Sequence, residues 1–560
     1  MGGDEKRMML ALVIAMAVLF LYPYFMGGFF PQPLPVGEAE QKEVVSGDQG
    51  SESITGERII SLDTTGASSA ESKTRNTAVV EKPREIKEVL STVETPLFIA
   101  TFTNIGGGIK SWKLKNYSST QEEGSEKIDI VKTVVINSIE KTPFETRIDI
   151  SGMIEKADFK ASKSKIVISK EDSATLRFSW TSPKKVAIEK TYTFTGDGYI
   201  VNSELVVKNN SRESIKGAIW TDIVATYGDD DSYYHHGPLR NIKGDTERQD
   251  LEISEESGRT ELNWIALEDK YFLQAILPKE EDLTSWQSIV PAEKTAQVSV
   301  AMPINLSSGF SQSMAFDTYI GPKEYNRLLE PKVKLEHAIE FGFFDFLAKP
   351  FLVALNFLKK YLWNYGIAIV VLTIIIKILF YPLTKHSMKS MKEMQRINPQ
   401  MKALKEKYKD DKNKMNKELM ELYKRYKVNP ISGCLPMILQ LPVFVALYEV
   451  FYVAIELRHA PFYLWIHDLA AADPYYVTPV LMGITMFIHQ KMTPSMMDPL
   501  QAKIMLMMPI VLTFVFLKFP AGLVLYWLTN NILSIIQQYF IYREKPGTGR
   551  PAIAGSSKSG

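Results

Sequence analysis

Leu372-Thr373-Ile374-Ile375-Ile376-Lys377-Ile378-Leu379-Phe380 sets one ammonium inside a run of hydrocarbon side chains. The run extends from Tyr361 to Leu383, enough for a helix to cross about 30 Å of lipid hydrocarbon. A lysine at the centre of such a helix costs about 2.5–3.5 kcal/mol on insertion scales. Two readings follow. Either Lys377 lines a water-filled cavity, or its stem snorkels to the cytoplasmic interface about 9 Å away. Glu449 does not neutralise it: on an antiparallel helix the two depths differ by about 13 Å, too far for an ion pair.

Outward from this helix, Cys434 to Ile455 and Tyr475 to Lys491 are also apolar. Ile504 to Ile541 is too long for one crossing and breaks at Phe519-Pro520-Ala521-Gly522. Met8 to Phe30, after Lys6 and Arg7, reads as an uncleaved anchor because it is long and no A-x-A site follows. A cleaved signal peptide is the alternative. These runs predict six transmembrane helices: residues 1–30 as anchor, 361–383, and four within 431–541. Residues 331–360 read as an interfacial amphipathic helix, its apolar spacing from Phe343 to Lys360 interrupted by Lys349 and Pro350. Ile504 to Lys518 is short for a crossing, which local thinning of the bilayer would accommodate.

Charge orients the chain. Residues 384–430 carry fourteen Lys and Arg against six Asp and Glu, a net +8, and read as a cytoplasmic helical hairpin about Asp410-Asp411-Lys412. The loop from Glu456 to Pro474 has Arg458 as its only Lys or Arg. The positive-inside rule therefore puts the first loop in the cytoplasm and the second outside, with both termini, including a tail over 542–560, cytoplasmic. The hairpin's charge is either a solvated face or a docking surface for anionic lipids or the ribosome. The methionines Met492, Met496, Met497, Met505, Met507 and Met508 suit varied apolar clients or simply face lipid.

The amino-terminal half differs. Residues 31–85 are rich in Gly, Ser, Thr and Glu and read as a disordered linker. Residues 86–330 show short β-forming patches between turn clusters such as Gly106-Gly107-Gly108, Gly196-Asp197-Gly198 and Asn209-Asn210-Ser211, the pattern of an all-β sandwich. Two of the patches are Phe98 to Phe102 and Val186 to Phe194; in the second, Ile188, Lys190, Tyr192 and Phe194 share one strand face. With six crossings this domain lies outside the membrane, which in a bacterium with two membranes means the periplasm.

Over all 560 residues the net charge of +1 excludes a globally basic nucleic-acid binder, and a single cysteine excludes a disulfide scaffold. His235-His236 invites a metal reading, but neighbours on a strand face opposite ways and no third ligand is indicated. No nucleophile, phosphate-loop or dinucleotide motif occurs in its required context. No covalent catalysis, cofactor or small-molecule substrate is expected. Thr373, Gln440, Asn530, Asn531, Ser534, Gln537 and Gln538 either line one hydrophilic groove with Lys377 or bond helix to helix. A small-solute transporter is the alternative function, though it calls for paired repeats and a midplane site, and neither is read here. A membrane-anchored sugar enzyme is suggested only by the β domain.

Several stretches in order carry a resemblance: Phe380-Tyr381-Pro382-Leu383-Thr384, Val428-Asn429-Pro430-Ile431-Ser432-Gly433-Cys434, Leu464-Trp465-Ile466-His467-Asp468-Leu469 and Phe519-Pro520-Ala521-Gly522-Leu523. Tyr319-Ile320-Gly321-Pro322-Lys323 resembles the end of the same family's outer domain. The chain resembles the long, Gram-negative form of the YidC membrane protein insertases. The resemblance implies a multi-domain membrane protein: an all-β supersandwich periplasmic domain and an α-helical membrane core enclosing a groove. It matches the family's groove arginine to Lys377, which keeps the charge and loses bidentate hydrogen bonding. It matches the family's paired tyrosines to Tyr526 and Trp527. It also implies nascent membrane proteins and the Sec translocon as partners.

Overall fold

The structure, a computed structural model, describes residues 86–122, 124–150, 157–228, 234–279, 284–426, 428, 435–493 and 499–543. The expected anchor (1–30), linker (31–85) and tail from residue 544 onward lie outside the described residues.

Alternation builds the amino-terminal half. In Val186–Thr195 every second residue is buried, including Ile188, Lys190, Tyr192 and Phe194, so the face read from the sequence is the core face. This strand belongs to a nine-stranded sheet ordered Asp245–Arg248, Gly237–Ile242, Leu262–Glu268, Phe272–Pro278, Ser311–Pro322, Ile200–Asn209, Val186–Thr195, Ser173–Thr181, Lys160–Ala161. A five-stranded sheet ordered Lys127–Asp129, Ile109–Ser118, Phe98–Thr103, Leu90–Glu94, Lys165–Val167 packs on it. Phe102 joins them, with its ring 5.0 Å from Tyr192 and 5.9 Å from both Phe178 and Phe194. A second five-stranded sheet runs Glu255–Thr260, Thr284–Ala292, Thr295–Leu306, Ile215–Thr226, Glu145–Ile150. Pairing is antiparallel throughout these sheets except between Leu90–Glu94 and Lys165–Val167. The expected all-β character holds.

Lys190 and Glu268 are among the charged groups buried inside this half. Lys190 is fully buried and donates to the Phe144 carbonyl. Burial pushes its ammonium down to about 7, against the pull of Glu145 and Asp222. Glu268 is also buried, and accepts from Lys323 (2.8 Å) and Arg248 (3.0 Å), with His235 Nδ1 at 2.9 Å. Burial alone would raise its carboxyl; Lys323, the His235 hydrogen bond and Arg248 outweigh it and hold the group at about 2. His235 Nε2 lies 2.9 Å from the Gln249 carbonyl oxygen, so both ring nitrogens face protein oxygens.

The carboxyl-terminal half is helical: α1 (Asp345–Leu362), α2 (Tyr365–Leu379), α3 (Tyr381–Lys407), α4 (Lys412–Tyr426), α5 (Leu435–Val453), α6 (Val477–Met492), α7 (Pro499–Phe516) and α8 (Ala521–Arg543). α1 runs through Lys349 and Pro350 as one helix. One expectation changes: the apolar run 361–383 is not one straight helix, since α2 ends at Leu379 and α3 leaves at 62° to it. Pro382 explains the break, because it has no N–H and its ring clashes with the carbonyl four residues before it. No single described helix is long and apolar enough to cross a membrane, while the bent pair α2–α3 passes that test together. In α8 the run Thr529-Asn530-Asn531 and Ser534, Gln537 and Gln538 lower the apolarity of an otherwise long helix.

The basic hairpin is α3 and α4. Met394, Ile397 and Met401, one helical face of α3, pack on Leu419 and Leu422 of α4 and on Val428.

Candidate functional site: a polar strip between helices

Asn364 starts α2: its side-chain oxygen accepts from Ile367 N (3.0 Å), and its amide donates to the Pro461 and Phe462 carbonyls. At the other end Lys377 falls in the last turn, two residues before Leu379. The sequence reading placed it well inside a longer helix; the bend at Phe380 brings the helix end to it. There the exposed carbonyls of the terminus favour a cation.

α8 begins where two of the quoted motifs meet. Gly522 N donates to the Leu469 carbonyl (2.9 Å) and Ala521 N to the Ala471 carbonyl (2.7 Å), so the 469–471 loop satisfies donors that the helix itself leaves free. A Cβ on Gly522 would lie 3.1 Å from the Leu469 carbonyl oxygen, so the approach suits glycine. Asp468 holds that loop by accepting from His459 N (3.0 Å) and Ala470 N (2.8 Å).

From this fixed start α8 turns different faces to different neighbours. Tyr526, Asn530 and Ser534 follow at intervals of four and share one face. Tyr526, 2% exposed, accepts from the Gln440 amide of α5. Ser534 accepts from Lys377 Nζ (2.8 Å) and donates to the Asn530 carbonyl (2.7 Å). Among the described residues no carboxylate lies within ion-pair distance of Lys377. Glu449 is buried elsewhere, against Gly342.

The structure therefore joins Lys377 with Ser534, and Gln440 with Tyr526, along one polar strip. It separates four other candidates from the strip. Thr373, one turn from Lys377, is 1% exposed and donates to the Ile369 carbonyl of its own helix (2.7 Å), so its hydroxyl is already used. Asn531 faces α6, with its amide 3.5 Å from both the Met482 carbonyl and Thr485 Oγ1. Gln538 reaches Thr493 Oγ1 at 3.3 Å on the same side. Trp527 stands edge-on to Phe444 (4.7 Å) and Phe516 (5.2 Å), in an aromatic joint of α5, α7 and α8.

Residues 90–354 match the YidC periplasmic domain, and residues 357–548 match the 60Kd inner membrane protein family. A membrane protein insertase YidC of Syntrophus aciditrophicus is 42% identical, the alignment covering 96% of this chain and all of that one. The membrane protein insertase YidC of Geotalea daltonii is 39% identical over 97% of this chain and all of its own. This chain belongs to the YidC family. A solved structure described as an active YidC insertase with its first transmembrane domain resolved covers 81% of this chain and 95% of its own, at 18% identity and a TM-score of 0.36. Membership in the YidC family makes the chain an inner-membrane protein with a β-rich periplasmic domain.

Proposed function

We propose that this chain inserts nascent membrane proteins into the inner membrane, and chaperones them, by offering the polar strip of α2, α5 and α8 as a groove. Its family relatives are named membrane protein insertases. The observation that carries the groove reading is the partner of Lys377, a neutral hydroxyl at 2.8 Å. A hydroxyl orients an ammonium without cancelling its charge, so the field stays available to a visiting carboxylate. An acidic segment bound for the periplasm would be drawn to Lys377, and its path through hydrocarbon shortened. The apolar client helix would then leave sideways into lipid. No covalent step is required. Tyr526 and Gln440 extend the polar path outward; Trp527 shapes its aromatic wall; Thr373 and Asn531 keep α2 and α6 in place beside it.

The topology that goes with this reading has six crossings, the β domain outside and both termini in the cytoplasm. In it α2–α3 is a broken span whose bend puts Lys377 towards the cytoplasmic side. The basic hairpin α3–α4 then faces the ribosome and anionic lipid, and the protein works alone or beside the Sec translocon.

Lys377→Ala and Lys377→Glu test the charge. In proteoliposomes, both variants should slow insertion of a client with an acidic translocated tail, Glu more than Ala, and spare a client with a neutral tail. Undiminished insertion of the acidic client by both variants would exclude the electrostatic mechanism.

A further inference from the structure

Lysine in the last turn of a helix has an easy alternative to the position seen here. Its four-carbon stem can extend past the helix end and deliver the ammonium to water. Ile378 and Leu379, the last residues of α2, are exposed and do not fence it in. Lys377 instead crosses to α8, and the contact that holds it there has a fixed sense. Ser534 spends its single proton on the Asn530 carbonyl, one turn back on its own helix. Its lone pairs are thus left to face α2, and Lys377 Nζ occupies that position at 2.8 Å. Ser534 is 6% exposed, so bulk water competes poorly for the same contact.

We propose that Ser534 is a positioning residue: it holds the Lys377 ammonium on the Tyr526–Asn530–Ser534 face of α8 and so sets the depth at which the groove presents its charge. The proposal rests on the groove reading given above. The residue type matters. An aspartate at this position would hold the lysine equally well and neutralise it; an alanine would leave the charge intact but free to leave. A back-bonded serine does neither.

The test uses the full-length protein in proteoliposomes and two clients that differ only in whether the translocated tail is acidic or neutral. Ser534→Thr and Ser534→Val are close in shape and differ by the hydroxyl, which separates positioning from packing. The valine variant should insert the acidic client roughly three- to ten-fold more slowly, the loss expected of one hydrogen bond. The threonine variant should retain most of the rate, and neither should alter the neutral client. In the Lys377→Ala background, Ser534→Val should add no further loss. Equal slowing by Thr and Val, or equal slowing of both clients, would overturn the proposal in favour of a packing role. If Lys377→Ala slows the acidic client while Ser534→Val does not, positioning alone is refuted. If Lys377→Ala itself has no effect, the groove reading fails and the role of Ser534 falls with it.

Discussion

Two buried charges in the β domain both make stability rise with pH, in separate windows. Lys190 ionises at about 7 in the folded protein and near 10.4 when unfolded. Between those values the unfolded chain binds more protons, so stability rises with pH across that window. Lys190→Met should flatten this slope in denaturant titrations run between pH 6 and pH 10; an unchanged slope would show that Lys190 does not set it. Glu268 acts in the same direction at lower pH. Its folded value of about 2 lies below the unfolded one near 4.3. Its contribution is therefore complete above about pH 4.3 and is lost as pH falls towards 2. Glu268→Gln leaves Lys323, Arg248 and His235 around an uncharged amide and should cost about 3–5 kcal/mol, the usual penalty for breaking a buried pair from one side. Equilibrium unfolding at neutral pH measures it. The face that buries Lys190 was legible in the sequence because alternation needs only neighbours along one strand. The Glu268 cluster was not, since positions 235, 248, 268 and 323 meet only through sheet pairing.

At the scale of elements, apolar runs located the helices and proline placed their ends less reliably. The break at Pro520 was read correctly, because the run was too long for one crossing. The break at Pro382 was passed over, because the hydrocarbon pattern continues to Leu383 and length gave no warning. Polar residues on α8 were found by composition, but their partition was out of reach: Asn531 and Ser534 are one turn apart, yet Ser534 meets Lys377 of α2 while Asn531 faces α6. The bend itself is testable. Pro382→Ala restores the missing N–H and removes the ring clash, so α2 and α3 should straighten from 62°. Spin-label distances from the start of α2 to the end of α3 should lengthen in this variant. An unaltered distance would assign the bend to packing against neighbouring helices instead of to proline.

At the scale of the whole molecule, the β domain is tied to the helical half by a few polar and aromatic contacts. Arg458 donates to the Ser118 and Ser119 carbonyls (3.0 and 3.2 Å), and the Gln121 amide reaches the His467 carbonyl at 2.6 Å. Tyr234 stacks on Tyr452 with ring centres 5.0 Å apart, and Lys270 lies 3.9 Å over the same Tyr452 ring. Glu456 is the joint that titrates. One oxygen accepts from Tyr325 N (3.2 Å) and the Asn356 amide of α1 (3.4 Å), while its Oε2 is buried with no hydrogen-bond partner among the described residues. Burial first, and then the nearby Glu324, raises its carboxyl above the usual range, although the Tyr325 and Asn356 bonds oppose this. A carboxyl raised in the folded state contributes its stability at low pH and loses it as pH climbs through the folded value. The joint should therefore loosen as pH rises from the acid side, by ionising a group that has nowhere to place its charge. Glu456→Gln keeps an oxygen for Tyr325 and Asn356 and cannot ionise. Hydrogen exchange of the segment 324–345 in full-length protein, compared between the two proteins at each pH from 4.5 to 8, isolates this effect from the intrinsic pH dependence of exchange. The wild type should exchange faster than the glutamine variant at the upper end and match it at the lower. Identical profiles would show that the two halves are held together by the Arg458, Gln121 and Tyr452 contacts alone.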